Sequence, residues 1–88
     1  MHNIDFKPAA FRELRRLARQ LTRPDRLGLE RAIDGLSVDP RPHGAVKLSG
    51  ADFYRIRVGD YRIIYVINDE ERRVTITKVA RRSETTYR

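Results

Sequence analysis

Three arginines, Arg55, Arg57 and Arg62, have the types and spacing in this sequence that best suit chemistry on an anion. They fall within residues 53–67, where two strand-like segments flank Gly59-Asp60, a two-residue connection of the kind that tight hairpin turns require. Pairing across this turn sets Arg57 directly opposite Arg62 and puts Arg55 on the same face. Because a guanidinium grips phosphate through two hydrogen bonds, this face is predicted to bind phosphate.

The predicted pairing gives the hairpin an apolar face and a basic face. The apolar face is the expected seat of the helices and carries Tyr54, Ile56, Val58, Tyr61, Ile63, Tyr65 and Ile67. The basic face carries Phe53, Arg55, Arg57, Arg62, Ile64 and Val66. Like charges directly opposite destabilise a ladder, on the ~0.2–1 kcal/mol scale of cross-strand pairs, so folding alone does not favour Arg57 facing Arg62. The alternative is a solvated face whose arginines pair with Asp52, Glu70 or Glu84.

The charge balance favours a polyanionic partner. The chain carries a formal net charge of +7, and 16 of its 19 basic residues are arginine. Such a field attracts nucleic acid, with anionic membrane as the rival partner. Codon bias in a GC-rich genome is an alternative source of the arginine excess. We expect RNA as the partner.

Further residues are predicted to act beside the hairpin. Thr75 and Thr77 lie next to the basic face if the second hairpin has a four-residue loop. Arg81, Arg82 and Tyr87 follow the last strand, and Tyr87 either stacks on a base, donates a proton or packs on the sheet edge. The predicted RNA-binding residues are Lys47, Arg55, Lys78 and Arg81.

Several function classes are excluded or not supported. The absence of cysteine rules out disulfides, thiolate metal sites and a cysteine nucleophile. His2 and His43 are far apart and lack carboxylate partners at a recognisable spacing, so no metal site is predicted, and no cofactor or small-molecule ligand is expected. No apolar run approaches the ~20 residues that cross a bilayer, and the start lacks signal-peptide order, so a cytoplasmic protein without membrane contact is expected.

The rest of the chain supplies the elements that position these residues. A strand is predicted over residues 2–6, a helix from Pro8 with apolar residues recurring over 9–21, and a second helix after the capping segment 22–25. A loop over 37–50 leads to the hairpin, and residues 73–80 form a third strand. The predicted fold class is α+β, in the order β-α-α-β-β-β, with a helix pair on one face of a small antiparallel sheet, in a single domain over residues 1–88.

The sequence resembles the RelE/ParE toxin superfamily in element order and most specifically over residues 47–88. The segments that carry the resemblance are residues 47–50 (KLSG), 53–65 (FYRIRVGDYRIIY), 79–84 (VARRSE) and 87–88 (YR). Such proteins are the toxins of type II toxin–antitoxin modules, and a cognate, here acidic, antitoxin silences them. The resemblance implies cleavage of mRNA in the ribosomal A site if the chain is RelE-like, or inhibition of DNA gyrase without nuclease activity if it is ParE-like.

Matched position by position, the resemblance implies a catalytic set of Arg55, Arg57, Arg62, Arg82 and Tyr87. The chemistry would be attack of a ribose 2′-OH on the adjacent phosphate, which needs no metal. RelE-like members commonly have lysines where Arg55 and Arg57 stand, and arginine is a poor general base, so the base is unassigned. Ser49 stands where a further basic residue is often found.

Overall fold

The computed structural model describes residues 1–48, 50 and 52–81. It contains two α-helices and a five-stranded sheet in the spatial order β1-β5-β4-β3-β2. The elements, in chain order, are β1 Asn3–Phe6, α1 Pro8–Ala18, α2 Arg23–Val38, β2 Val46–Lys47, β3 Phe53–Val58, β4 Tyr61–Asn68 and β5 Arg73–Arg81. The predicted α+β class and the order β-α-α-β-β-β are confirmed, with β2 as a short addition within the predicted loop.

The sheet is mixed, whereas an antiparallel sheet was predicted. β1 pairs in parallel with β5, with Ile4 beside Val74 and Phe6 beside Ile76, while the other strand pairs are antiparallel. The two helices carry the chain from β1 at one edge of the sheet to β2 at the other edge. This long connection allows β1 and the last strand, β5, to lie side by side in the parallel sense. The helix pair still covers one face, as predicted.

Local signals in the sequence set the helix boundaries. Pro8 lies in the first turn of α1, where its missing N–H costs nothing. Thr22 caps α2, since its Oγ1 accepts a hydrogen bond from the Asp25 N–H at 3.3 Å. α1 ends at Ala18, short of the predicted Leu21, but Leu21 remains buried in the following turn.

The core lies between the helix pair and one face of the sheet. Leu17, Leu29 and Leu36 from the helices are at most 2% exposed. They pack in one cluster with side chains of β4 and β5, among them Ile63, Tyr65, Ile67, Val74, Ile76 and Val79. The predicted apolar face of the hairpin therefore does seat the helices, and the opposite face of the sheet is left for other contacts.

Candidate nucleic-acid interface

The hairpin register is the one predicted from the two-residue turn. Arg57 lies opposite Arg62, Val58 opposite Tyr61, and Arg55 opposite Ile64. Gly59 has φ +58°, the left-handed conformation that a turn with glycine at its first central position requires. The turn thus places all three arginines on the sheet face that the helices do not cover.

We call this surface the arginine face. It is defined by register as Phe53, Arg55, Arg57, Arg62, Ile64, Val66, Thr75 and Lys78. Arg55 and Arg62 are half-buried, with their Nε atoms inside the surface, whereas Arg57 is exposed. Ile64 lies at the centre of the face and is 7% exposed. Arg55 and Lys78 therefore lie on the two sides of a buried aliphatic side chain.

An aromatic side chain borders this face. Phe53 lies opposite Val66 and is 40% exposed, two positions along β3 from Arg55. An exposed ring beside cations is the combination by which single-stranded nucleic acid is held, with bases stacked and phosphates paired.

The predicted alternative, in which carboxylates neutralise the arginines, is not found for Arg57. In the part of the chain that the structure describes, no ion pair reaches Arg57, and Asp52 and Glu70 take part in none. Glu84, the third acid considered, lies outside the described residues. The ion pair that β5 does make, Arg73 Nε with Asp5 at 3.3 Å, joins two exposed residues at the β1 edge of the sheet.

A β-bulge in β5 brings Lys78 onto the arginine face. The β4–β5 register shifts between Ile64 and Tyr65, so that Tyr65 lies opposite Ile76 but Ile64 lies opposite Lys78. Thr77 is the extra residue, and its Oγ1 donates a hydrogen bond to the Ile64 carbonyl at 3.1 Å. Thr75, opposite Val66, lies where predicted, and Thr77 adjoins Ile64 as the unpaired residue of the bulge, while Lys78 takes the position opposite Ile64 that a regular ladder gives to Thr77.

Two predicted RNA-binding residues lie on the other face. Lys47 pairs with Tyr54, and Arg81 pairs with Tyr61, both of which belong to the helix side of the sheet. The guanidinium carbon of Arg81 lies 6.0 Å from the centroid of the Tyr61 ring. The structure thus gathers Arg55, Arg57, Arg62 and Lys78 but not Lys47 or Arg81, and the predicted Arg82 and Tyr87 lie outside the described residues.

A polar network that the sequence did not predict braces the hairpin from the helix side. Arg41 donates hydrogen bonds to Tyr54 Oη at 3.1 Å and to Asp69 Oδ2 at 3.0 Å, and His2 Nε2 lies 3.1 Å from Asp69 Oδ1. The hydrogen bond from Arg41, and then that from His2, lowers the pKa of Asp69, while the carboxylate raises the pKa of Arg41. No pattern signals Arg41, because it lies in an irregular loop.

The described residues contain no cluster of three or more histidine, aspartate or glutamate side chains that would hold a metal ion. Within the same ranges, neither helix has the length and apolar character needed to cross a membrane.

Fold and face together define a small α+β protein with an arginine-rich sheet surface opposite its helices. The family model described as the ParE toxin of the type II toxin–antitoxin system, parDE, matches residues 4–86, nearly the whole chain. The chain belongs to this toxin family, within the RelE/ParE superfamily. A search among curated proteins finds no match.

Solved structures support the same superfamily. The chain is 26% identical to a chain of the archaeal RelE–RelB complex from Pyrococcus horikoshii, with a TM-score of 0.78, covering 96% of this chain and 98% of that one. Isolated Escherichia coli RelE toxin gives 26% identity and a TM-score of 0.76, covering 97% and 88%. A chain of the RelBE2 toxin–antitoxin complex from Mycobacterium tuberculosis is 26% identical, with a TM-score of 0.70, and the match covers 92% of this chain and 98% of that one. The fold is thus that of RelE, under a ParE family model.

Proposed function

We propose that this toxin is an endoribonuclease that cleaves mRNA on the ribosome in the cytoplasm. The observation that carries the proposal is the arginine face: three arginines lie on the sheet face that the helices do not cover, Lys78 joins them by register, and Arg57 has no carboxylate partner among the described residues. Arg57 lies opposite Arg62, an arrangement that a bound anion stabilises, and an RNA strand supplies both phosphates and bases.

The proposed reaction is attack of a ribose 2′-oxygen on the adjacent phosphorus. The P–O2′ bond forms, the P–O5′ bond breaks, and the products are a 2′,3′-cyclic phosphate and a free 5′-hydroxyl. Arg57 and Arg62, directly opposite each other, stabilise the added negative charge of the phosphorane. Arg55 and Lys78, which flank Ile64 on its two sides, hold the neighbouring phosphates.

Proton transfer completes the reaction. A base takes the 2′-OH proton and an acid protonates the departing 5′-oxygen. Arginine is a poor general base near neutral pH because it stays protonated, so the base is unassigned. Tyr87 and Arg82, which the resemblance places in the catalytic set, are the residues proposed for proton donation or base stacking.

The proposed partner that silences the toxin is an antitoxin of acidic character. The RelE-like chains from Pyrococcus horikoshii and Mycobacterium tuberculosis were solved as complexes that include an antitoxin. A net charge of +7 favours an acidic chain, which would be attracted over long range and neutralise the basic surfaces.

The test is a translation reaction with purified toxin. We expect codon-phased cuts in ribosome-bound mRNA, and Arg62→Ala is expected to reduce the cleavage rate roughly 100-fold or more, the scale of one lost transition-state donor. Arg31→Ala removes the same charge from the exposed surface of α2 and serves as the matched control. Cleavage by Arg62→Ala at the wild-type rate would remove the arginine face from the mechanism.

Inhibition of DNA gyrase is the second candidate function, because the family model that matches is that of ParE. In that case the basic surface docks on the enzyme–DNA complex and no RNA bond breaks. Intact mRNA in the translation reaction, together with lost supercoiling by gyrase, would replace the nuclease proposal with this one.

A further inference from the structure

A second basic surface lies on α1, away from the sheet. Arg12, Arg15, Arg16 and Arg19 are all exposed and line a surface depression of about 220 Å³ that no other described residue lines. We call these four residues the α1 arginine row. They recur at i, i+3, i+4 and i+7, so they share one side of the helix over roughly 10 Å of its axis.

Helix stability does not account for the row. It contains four like-charge pairs at i,i+3 or i,i+4 spacing, each of which destabilises an isolated helix by roughly 0.2–0.5 kcal/mol. Arg15 and Arg16 lie in the last turn of α1, where the helix dipole favours cations. Arg12 lies a turn earlier and gains little from that dipole, so the complete row needs another explanation.

The row is only partly neutralised. Glu13 accepts a hydrogen bond from Arg16 Nε at 3.3 Å, and the side-chain hydrogen bond with Arg16 lowers the pKa of Glu13, so this one pair is fixed. The guanidinium carbon of Arg15 lies 5.9 Å from the centroid of the Phe11 ring. Arg12 and Arg19, at the two ends of the row, make no ion pair within the described part of the chain.

The α1 arginine row lies away from the three arginines of β3 and β4, and Lys78 lines a cavity between the two surfaces together with Glu13. Ala10 and Leu17 of α1 are buried against the helix side of the sheet, which turns the exposed arginines of α1 away from β3 and β4. A single RNA strand lying on the arginine face therefore does not occupy the row.

We propose that the α1 arginine row is a second RNA site, which binds the phosphate backbone of double-stranded RNA. The depression is lined by four arginine side chains and by no aliphatic or aromatic residue, which suits a row of phosphates. A duplex presents its phosphates as a continuous line that is recognised by shape rather than by sequence. This inference goes beyond the proposed cleavage, since it requires no bond to break.

The experiment measures binding of the full chain to a fluorescein-labelled 20-base-pair RNA duplex by anisotropy, over 50–200 mM salt. Arg12→Gln/Arg19→Gln is expected to weaken binding about tenfold or more and to lower the salt slope by about two, because two phosphate contacts are lost. Arg23→Gln/Arg31→Gln removes the same charge from exposed positions of α2 and is expected to keep the slope.

Two outcomes would overturn the proposal. Equal loss of affinity and slope in both double variants would mean that the duplex responds to diffuse charge. If Arg12→Gln/Arg19→Gln binds the duplex as the wild type does but no longer binds a poly-glutamate peptide, the row would be assigned to an acidic protein. A circular-dichroism melt excludes misfolding, since removing the like-charge pairs is expected to leave Tm equal or higher. Failure of mRNA cleavage does not bear on this measurement.

Discussion

Arg57 and Arg62 lie directly across the β3–β4 ladder from each other, in the second residue pair from the Gly59-Asp60 turn. Two cations in a cross-strand pair repel, and the short connection leaves the hairpin no other register in which to separate them. Repulsion within this pair is offset when an anion lies between the two guanidinium groups.

Replacing one member of this pair is expected to separate stability from activity. Arg57→Gln removes the repulsion and should raise the free energy of unfolding by up to about 0.5 kcal/mol, within the range of cross-strand pairs. The cleavage rate should fall roughly 100-fold, because a donor to the phosphorane is lost. Urea unfolding and a cleavage time course measure the two effects. Arg73→Gln, which breaks an exposed ion pair with Asp5, is the control and should change either quantity little.

Alkaline pH is expected to destabilise the fold through Tyr65. Burial of this fully buried side chain raises the pKa of its phenol to about 12 from 10.0. The stability that Tyr65 contributes is complete below pH 10 and is lost as the pH rises towards 12, because the unfolded chain ionises first. Tyr65→Phe should lose about 1 kcal/mol at neutral pH with its hydrogen bond to the Pro40 carbonyl, and should fall less steeply above pH 10. Parallel curves for the two proteins across pH 10–12 would contradict this.

Acid pH is expected to release the bracing network around Asp69. Arg41 and then His2 lower the pKa of Asp69 from 3.8. The contribution of this carboxylate is therefore present above about pH 4 and is lost as the pH falls through its lower folded value. Wild type should melt higher than Asp69→Asn at pH 6, and the difference should shrink as the pH drops below 4. Because Arg41 and Asp69 are both exposed, high salt should also reduce this difference in melting temperature.

The hairpin turn depends on the conformation of Gly59. Its φ of +58° is costly for any residue with a β-carbon, so Gly59→Ala is expected to lower the free energy of unfolding by about 1–2 kcal/mol. Gly35 is the matched control, since it lies inside α2, where an added β-carbon meets no atom within 4 Å. Gly35→Ala should raise the free energy of unfolding by about 1 kcal/mol. Loss of stability in both variants by chemical denaturation would contradict the turn assignment.

Sequence was sufficient where a local rule decides the structure. The two-residue turn fixed the whole β3–β4 register, and side-chain alternation then sorted Arg55, Arg57 and Arg62 onto one face. The capping segment 22–25 likewise located the start of α2, which begins at Arg23 after the Thr22 cap.

Sequence failed where distant contacts decide. The parallel pairing of β1 with β5 joins residues about 70 positions apart, and nothing in either strand encodes its direction. Lys47 and Arg81 are basic residues at strand positions, and only the register of their neighbours reveals that they face the helix side. Arg41 lies in a loop without periodicity, so its contacts with Tyr54 and Asp69 follow from tertiary structure alone.

The bulge at Thr77 has a consequence for how this strand compares with its relatives. Thr77 has no partner in β4, so β5 contains one residue more than the ladder pairs. A toxin with a regular β5 places the same side chains towards and away from the core with one residue fewer. A correct alignment of such a pair places a gap at position 77. An ungapped alignment would match Lys78 with a core residue, and a basic position shared by the two proteins would go unnoticed.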